Sequence, residues 1–584
     1  MASEPRHLPP TGPRRRTVGT DDVDLAVFSE GDPASPTILL VHGFPDTHRL
    51  WDGLAERLVG DYHVVRYDVR GAGESTAPRK TAAYRTELLA EDLFAVADAV
   101  SPNRPVHVVA HDWGSIQAWA AVTAPRAKTR IASFTSVSGP HLDHIGQWTR
   151  RRLTHPTPAN LVQVATQLAH SWYIAAFHLP VLPALAWRTV IGPRWGGILR
   201  RVEGVDSTPA PTIGTDAANG VRLYRANMLT SAAKPAPGPT EVPVQVVLPT
   251  RDRFVTAALA EDLERWVPRL WRRRIVAGHW VPLSHPEALA RMVEDFVEHV
   301  SGAPMTRSLQ RARAGRAEGF TNRLVVVTGA GKGIGRATAH AFAARGAEVV
   351  VADVDIEAAR RTAAEIGPAA YPYLVDVSDA DAVRAFAEDI TDQHGTPDVV
   401  VNNAGIGMAG PFLATTARDW QRITDVNLLG VVNGCREFGA LMAEAGEGGH
   451  IVNISSAAAY TPSRSLSAYA ASKAAVLALS DCVRAEFVDH GIGVTAVCPG
   501  VVATDITNTT TFTGADDLEQ QRMRQKATKA YARRGFTPDR VAEEIVRAVD
   551  HGTPVVAVTP EAKLARFGSR FAPGLMRRVA RLIG

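Results

Sequence analysis

Two successive series of short apolar runs, each alternating with helix-like stretches, organise the chain. The first series ends at an amphipathic stretch over residues 285–300, and its strand-like runs cover residues 37–43, 63–68, 106–112, 133–139 and 244–250. The second series has its strand-like runs at residues 324–335, 347–355, 398–405, 450–456 and 493–500. Strands that alternate with helices predict a parallel sheet covered by helices. The two series share no fixed repeat, so the pattern predicts a fusion of two α/β domains.

The same pattern predicts the domain boundaries. Residues 1–16 have no apolar periodicity and are expected to form a disordered arm, followed by a first domain over residues 17–300. Between about residues 140 and 240 the strand signals stop, and a helical stretch interrupted by prolines predicts an inserted lid. The Gly/Ala/Arg-rich residues 301–321 predict a linker. Residues 322–584 then form the second domain, with a basic C-terminal tail.

Composition narrows the class of protein. The chain has 584 residues, of which 45% are hydrophobic and 21% charged, so general disorder, collagen and a disulfide scaffold are excluded. Three cysteines cannot form a disulfide framework and favour a reducing, cytoplasmic compartment. The 64 basic and 60 acidic residues give a net charge of only +4, which gives no reason to expect nucleic acid as a partner. The sequence also predicts no signal peptide and no membrane span.

A carboxylate occupies the turn where a nucleophile would stand in the first domain. The run VVAHDWG at residues 108–114 is a buried strand that enters a sharp turn with small residues near Asp112. Such a turn lifts its central side chain above the sheet, so Asp112 could attack carbon and form an ester. The alternative is an aspartate that caps the next helix.

Other residues of the first domain favour the nucleophile. The HGFP motif follows the strand at residues 37–41, and it predicts that the backbone N–H groups of Phe44 and Trp113 face a developing negative charge. Asp252 and His279 each follow a strand-like run, and the order Asp112, Asp252, His279 is that of nucleophile, acid and histidine in an α/β-hydrolase. Asp252 would orient His279, which would activate water.

Residues 37–300 resemble the epoxide-hydrolase branch of the α/β-hydrolases, which carry HGxP and HDWG motifs. The resemblance implies that two lid tyrosines, Tyr173 and Tyr224, protonate the epoxide oxygen. Ala110 departs from the usual Gly before His111 but is still small. A dehalogenase remains the alternative. Haloalkane dehalogenases usually have Asn where Phe44 stands, and fluoroacetate dehalogenases have Arg where Trp113 stands.

The second domain opens on a glycine-rich turn between a strand and a helix. Glycines at this turn let the backbone approach a pyrophosphate at the helix N-terminus, and the turn contains Gly329, Gly333, Ile334 and Gly335. Asp353, 18 residues beyond Gly335, would bind the adenosine ribose and favours NAD. Lys332 within the turn keeps NADP as the alternative.

A tyrosine and a lysine four residues apart carry the second candidate chemistry. Tyr469 and Lys473 would share a helix face, where the lysine charge is expected to lower the tyrosine pKa so that the phenol passes a proton while hydride moves. Ser456, 13 residues upstream of Tyr469, would hydrogen-bond the substrate oxygen.

Residues 322–560 resemble the short-chain dehydrogenase/reductase family in these motifs, in an NNAG motif and in a Pro-Gly pair. The resemblance implies that Asn427 holds the water of a proton relay, that Asp376 contacts adenine and that Thr504 meets the nicotinamide amide. It also places the following residues against the cofactor: Asn403, Ala404, Gly405, Pro499 and Gly500.

The domain order resembles epoxide hydrolase–dehydrogenase fusions of the EphD type. We therefore expect a bifunctional α/β enzyme. Its N-terminal domain would have an α/β-hydrolase fold with a helical lid, and its C-terminal domain a Rossmann doubly wound parallel sheet. It would act on an epoxide and on an alcohol/ketone pair, with hydrophobic or lipid substrates favoured by the apolar lid. We expect no metal, and no cofactor in the first domain. Two alternatives stay open for the domains: that one half is a non-catalytic binding or dimerisation module, and that the dehydrogenase domain forms a homo-oligomer. The amphipathic basic tail, residues 561–584, is expected to close the substrate site or to pack at an oligomer interface, with contact to a membrane surface as the alternative.

Overall fold

The computed structural model of the protein describes residues 12–233, 235–236, 238–313, 319–504 and 506–579. Its contacts divide the chain into two compact units, the first ending at residue 315 and the second beginning at residue 316. This division falls inside the predicted linker, residues 301–321.

The first unit is built on one mixed sheet whose central strands are parallel and buried. Its described strands are β1 (Arg14–Gly19), β2 (Asp24–Glu30), β3 (Thr37–Val41), β4 (His63–Tyr67), β5 (Val106–His111), β6 (Ile131–Val137), β7 (Val244–Pro249) and β8 (Leu270–Ile275). Their order in the sheet is β1-β2-β4-β3-β5-β6-β7-β8, with β1, β2 and β4 joined by antiparallel pairing and β4 to β8 by parallel pairing. All residues of β3, β4, β5 and β7 are buried, as expected for a sheet covered on both faces.

Helices cover this sheet and form the insertion between β6 and β7. Those outside the insertion are α1 (Asp52–Leu58), α2 (Thr86–Val100), α3 (Trp113–Thr123), α4 (Ala127–Arg130), α11 (Val281–Ser284), α12 (Pro286–Val300) and α13 (Arg307–Ala312). The inserted ones are α5 (Leu142–Thr154), α6 (Pro158–His170), α7 (Trp172–Phe177), α8 (Leu182–Ala186), α9 (Trp195–Glu203) and α10 (Ile213–Ala233). The insertion is the helical lid expected between about residues 140 and 240.

Two boundary predictions need correction. Residues 14–16, expected in a disordered arm, belong to β1, where arginine side chains suit the edge of a sheet; residues 1–11 lie outside the described residues. The predicted linker contains α13, because Leu309 is buried against Trp271 and Phe296 of the first unit. Apolar burial of one leucine therefore holds a helix in a stretch whose composition alone predicted none.

The second unit is built on a parallel sheet. Its strands are β9 (Leu324–Thr328), β10 (Glu348–Asp353), β11 (Ala370–Leu374), β12 (Val399–Asn402), β14 (Gly449–Ile454), β15 (Ile492–Cys498) and β17 (Val555–Ala557). The order is β11-β10-β9-β12-β14-β15-β17, and a separate short pair joins β13 (Met408–Ala409) to β16 (Thr511–Phe512). The strand order reverses between β9 and β12, and a crevice at such a point is where ligands bind in this architecture.

Helices lie on both faces of the second sheet. They are α14 (Gly333–Ala343), α15 (Ile356–Ile366), α16 (Ala380–His394), α17 (Ala417–Thr424), α18 (Gly430–Ala445), α19 (Ser467–Phe487), α20 (Ile506–Thr509), α21 (Asp517–Arg534), α22 (Pro538–His551), α23 (Pro560–Phe571) and α24 (Pro573–Val579). One core packs α14 and α22 on the sheet, and a second core packs α16, α18 and α19 on it. The predicted doubly wound α/β fold is confirmed. Across the described part of the chain, we find no helix with the length and apolar content to cross a bilayer.

Candidate active sites

Asp112 stands in a strained turn between β5 and α3. Its backbone has φ 49° and ψ −122°, a conformation that residues other than glycine rarely adopt. A Cβ at Gly114 would overlap the Val41 carbonyl oxygen, and one at Gly139 would overlap the Asp112 carbonyl oxygen. Within the described residues, the Asp112 side chain does not cap α3, and the amide of that helix that reaches its carboxylate is that of Trp113, the next residue in the chain. The turn therefore presents the carboxylate to the site above the sheet, and the helix-cap interpretation is not supported.

Two backbone amides bind the Asp112 carboxylate. Phe44 N–H donates to Asp112 Oδ2 at 2.8 Å, and the Trp113 N–H also hydrogen-bonds the carboxylate. Burial nevertheless raises the Asp112 pKa above its ordinary value, because these donors only partly replace water. The two amides named from the HGFP and HDWG motifs thus meet at one carboxylate, and Oδ2 lies where an oxyanion would be stabilised.

His279 lies between two carboxylates. Its Nδ1 is 2.9 Å from Asp252 Oδ2, and its Nε2 is 3.8 Å from Asp112 Oδ1. Asp252 Oδ1 accepts hydrogen bonds from the N–H groups of Phe254 and Val255, which fixes the carboxylate. Burial alone would lower the His279 pKa, but the charge and hydrogen bond of Asp252, with the charge of Asp112, outweigh it and raise the pKa to about 9.

The two lid tyrosines reach the same site. Tyr173 lies in α7 and Tyr224 in α10, with ring centroids 5.9 Å apart. The Tyr224 ring packs 4.9 Å from Trp113 and 5.5 Å from Phe44. Burial and the nearby Asp112 charge raise the pKa of both phenols, so both keep their protons at neutral pH. Both phenols are therefore near enough to Asp112 for its charge to act on them, and their hydroxyls hydrogen-bond each other.

Aromatic rings enclose this site. Phe177 packs 4.8 Å from Tyr224, Trp187 packs 5.3 Å from Phe44, and Phe254 packs 5.5 Å from Tyr173. Such a wall excludes water and strengthens the hydrogen bonds and charges inside it.

The glycine-rich turn of the second unit lies at the crevice between β9 and β12. Gly329 and Gly333 have φ of 62° and 57°, and a Cβ at Gly335 would overlap the Gly329 carbonyl oxygen. Ile334 follows in the first turn of α14. Gly331 N–H donates to Asp353 Oδ2 at 2.8 Å, so the acid predicted to bind ribose lies directly beside the turn.

The NNAG motif packs against this turn. Asn403 Nδ2 donates to the carbonyls of Thr328 and Gly329 at 2.9 and 3.1 Å, and Ala404 N–H donates to Thr328 Oγ1 at 3.2 Å. A Cβ at Gly405 would lie 3.2 Å from Asn427 Oδ1 and 3.4 Å from Lys473 Nζ. Because Gly405 has no side chain, Asn427 and Lys473 can both lie close to its backbone.

Tyr469 and Lys473 of α19 face the same crevice. Lys473 Nζ donates to the Ile454 carbonyl at 2.9 Å, and Ser456 hydrogen-bonds Tyr469. Burial lowers the Lys473 pKa to about 8 and raises the Tyr469 pKa to about 12. The expectation that the lysine lowers the tyrosine pKa is wrong for this geometry, because desolvation of the phenol dominates.

The remaining predicted residues of the second unit lie at the carboxyl ends of strands. Asp376 follows β11 and accepts hydrogen bonds from Ser378, with 3.0 Å to the Ser378 N–H. Pro499 follows β15 and its carbonyl accepts from Ala457 N–H. A Cβ added at Gly500 would overlap the Thr559 hydroxyl. A Cβ added at Gly333 would lie 3.4 Å from the Cβ of Thr504. Thr504 is thereby placed beside the glycine-rich turn.

Comparisons with known proteins cover both units. A family model described as alpha/beta hydrolase fold matches residues 36–286, and one described as short chain dehydrogenase matches residues 323–513. The "Probable oxidoreductase EphD" of Mycobacterium tuberculosis strain H37Rv is 46% identical over 98% of this chain and 100% of its own length. The chain belongs to the EphD family.

Each of two solved structures resembles one half of this EphD-family chain. A short-chain dehydrogenase/reductase from Burkholderia phymatum in complex with NAD is 29% identical, with TM-score 0.41, over 45% of this chain and 96% of its own. A structure described as a novel epoxide hydrolase from metagenomes of hot environments is 25% identical, with TM-score 0.40, and the match covers 49% of this chain and 98% of that chain.

Membership of the EphD family makes the chain a hydrolase fused to a short-chain oxidoreductase, as predicted. The dehydrogenase domain implies binding of NAD(P) and small-molecule substrates. Its residues fit that cofactor, because a Cβ at Gly329, Gly331 or Gly335 would overlap neighbouring atoms and Asp353 lies beside the turn. Across the described residues no group of three or more His, Cys, Asp and Glu side chains is arranged to hold a metal ion.

A third acid lies near the hydrolase site and is not among the residues predicted from the sequence. Asp46 directly follows the HGFP motif and accepts a hydrogen bond from Trp280 Nε1 at 2.9 Å. Burial, opposed by that bond and aided by the Asp112 charge, raises the Asp46 pKa to about 7. Its position next to the motif was the signal that could have found it.

A fourth acid comes from the lid. Glu203, the last residue of α9, hydrogen-bonds the Trp280 N–H, and its carboxylate occupies the space where a Cβ of Gly278 would stand. Its charge contributes to the raised His279 pKa. No local pattern in the sequence marks Glu203, because the contact depends on how the lid folds over the histidine loop.

Proposed function

We propose that the first domain hydrolyses epoxides through an Asp112 ester and that the second oxidises or reduces an alcohol/ketone pair with NAD(P). The observation that carries the first assignment is the placement of the Asp112 carboxylate. It is bound by the Phe44 and Trp113 amides on one side and lies 3.8 Å from His279 Nε2 on the other.

Ring opening is the first step. Asp112 Oδ1 attacks an epoxide carbon, a carbon–oxygen bond of the ring breaks, and Tyr173 or Tyr224 gives its proton to the departing oxygen. Oδ2 becomes the ester carbonyl oxygen and remains on the two amides. Two O–H donors above the nucleophile favour an epoxide over a halide, because an epoxide oxygen must be protonated when it leaves.

Hydrolysis is the second step. His279 removes a proton from water, which attacks the ester carbonyl carbon, and the negative charge on Oδ2 is stabilised by the Phe44 and Trp113 amides. Collapse of this intermediate releases the diol and regenerates the Asp112 carboxylate. The two protons of the water end on the diol and on the tyrosinate, so the cycle closes.

Residues of the second domain hold the oxygen at which its reaction occurs. NAD(P), when bound, accepts or supplies the hydride. Ser456 orients the substrate oxygen, Tyr469 passes the proton to or from it, and Lys473 is fixed by the Ile454 carbonyl beside them. Asp353 favours NAD, since its charge would repel a 2′-phosphate.

Trapping of the ester tests the hydrolase assignment. His279→Gln should form the ester but hydrolyse it slowly, so after incubation with an aliphatic terminal epoxide the peptide containing Asp112 gains the mass of that epoxide. Asp112→Asn, which keeps the size of the side chain, is the control and should gain none. No adduct across a panel of short and long epoxides would refute the assignment.

The two reactions could act in sequence, with the diol oxidised to a hydroxyketone. This hypothesis rests on the covalent linkage and on compatible chemistry. Tyr469→Phe should leave diol formation intact and abolish the NADH absorbance change with that diol. If the wild-type enzyme makes the diol but neither the diol nor its ketone changes NADH absorbance, the coupling is wrong.

A further inference from the structure

The last two described helices, α23 and α24, turn their large apolar side chains away from the domain. Leu564, Phe567 and Phe571 lie three and four residues apart, which places them on one side of α23, and Leu575 of α24 follows four residues later. Their exposed fractions are 71%, 61%, 67% and 61%. We call these four residues the apolar stripe.

The side of α23 that faces the domain is made of small residues. Ala562 and Ala565 are buried, whereas the larger apolar residues of the same helix are exposed. A surface helix normally turns its large apolar residues to the core. The inverted arrangement indicates that the stripe serves a contact outside the domain.

Cations surround the stripe. Residues 560–579 contain Lys563, Arg566, Arg570, Arg577 and Arg578 against one acid, Glu561. Glu561 is turned to the domain, where it accepts from Val501 N–H and pairs with Arg534, and Arg566 also turns inward to donate to the Val555 carbonyl. The other four cations are exposed. The outer surface of the two helices therefore carries positive charge around an apolar centre.

A groove beside the stripe has the same character. It holds about 500 Å³ between α22, β17 and α23, with Phe567 and Phe571 on its apolar wall. Lys563 and Arg570 line it, and so do Arg547 and its ion-pair partner Glu544. An apolar space with cations at hand suits an acyl chain and its anionic headgroup.

We propose that α23 and α24 bind the surface of an anionic lipid bilayer through the apolar stripe and its surrounding cations. Interfacial helices with apolar residues on one face and Lys or Arg beside it bind membranes in this way. The proposal does not depend on the activities proposed above. A second copy of the chain fits less well, because a two-fold contact through this surface would bring the two sets of cations together.

Vesicle flotation with the full-length protein tests the proposal. We expect the protein to float with vesicles that contain phosphatidylglycerol, to remain unbound with phosphatidylcholine alone, and to dissociate at about 0.5 M salt. Phe567→Ser combined with Phe571→Ser should lower the bound fraction at least tenfold. Arg570→Glu changes two charges and should weaken binding about 25-fold, at roughly fivefold per charge.

Phe412→Ser is the matched control, since Phe412 is a 60% exposed phenylalanine of the same domain outside the stripe. It should bind vesicles as the wild type does, and thermal melting should show that all variants are folded. Equal binding to both vesicle types, or binding that the stripe variants do not change, would overturn the proposal. The proposal would also be overturned if the protein did not bind vesicles, light scattering showed a dimer, and the Phe567→Ser/Phe571→Ser variant were monomeric.

Discussion

Removal of the lid hydroxyls should slow ring opening and spare hydrolysis of the ester. Tyr224→Phe deletes a hydroxyl in an enclosed place, because the residue is only 3% exposed and its ring packs on Trp113 and Phe44. Tyr173 packs on Phe177 and Phe254 rather than on the two residues whose amides bind Asp112. We therefore expect Tyr224→Phe to be the more damaging of the two single changes.

The magnitude follows from the hydrogen bond that is lost. A bond to a charged oxygen contributes about 1.5–3 kcal/mol, which is roughly a 10- to 150-fold change in rate. Each phenol can serve as donor when the other is missing, since the rings are 5.9 Å apart above one carboxylate. Each single change should therefore lie near the lower end of this range, and the double change should cost more than the two single effects combined, up to roughly 10⁴-fold, the upper limit of general-acid catalysis.

Single-turnover fluorescence separates the two steps. The Trp113 ring lies 4.9 Å from Tyr224, so ester formation at the adjacent Asp112 should change tryptophan emission. We expect the fast phase to slow in the order wild type, Tyr173→Phe, Tyr224→Phe and the double variant, while the slow phase changes less than about threefold. A normal fast phase in the double variant, with slower hydrolysis, would refute the assigned role of the tyrosines.

Three further changes test other parts of the molecule. Gly335→Ala adds a Cβ that overlaps the Gly329 carbonyl oxygen, so NADH titration should show lost binding while diol formation persists; retained binding would contradict the fit. Asp353→Ser removes the charge beside the turn and should raise the kcat/KM ratio of NADP+ over NAD+ at least about tenfold, and an unchanged ratio would rule out that role. The folded-state His279 pKa of about 9 lies above its ordinary 6.5, so its stabilisation is fully present below about pH 6.5 and is lost as pH rises through 9. Thermal melting of the first domain from pH 6 to 10 should show this loss, and Asp252→Asn should flatten it; parallel curves would disprove the linkage.

The sequence predicted the parts of both sites that follow strands. Asp112, Asp252 and His279 come after β5, β7 and β8, and the carboxyl ends of parallel strands meet at one edge of a sheet. Ser456 and Asn403 stand in the same relation to β14 and β12. Short motifs next to buried strands are therefore enough to place these residues, because the sheet brings their positions together.

Residues on inserted or terminal elements could not be placed in this way. Tyr173 and Tyr224 were found only by resemblance, and Glu203 not at all, because each reaches the site through the packing of lid helices. The strand at residues 14–16 and α13 were also missed, since an edge strand and a single buried leucine leave almost no periodic signal. The direction of the Tyr469 pKa depends on burial, which local spacing does not report.

In the proposed mechanism, the charges around His279 imply that ester formation itself activates the base. In the free enzyme, Asp252, Asp112 and Glu203 all contribute to the raised His279 pKa of about 9, and a histidine with that pKa is protonated at pH 7. Ester formation removes the Asp112 charge, so the His279 pKa must fall and a larger fraction of the imidazole can accept a proton from water. We therefore expect the hydrolysis step to show a lower apparent pKa than the free enzyme. Glu203→Gln should lower the free-enzyme pKa too, and without this difference Asp112 would not control the base.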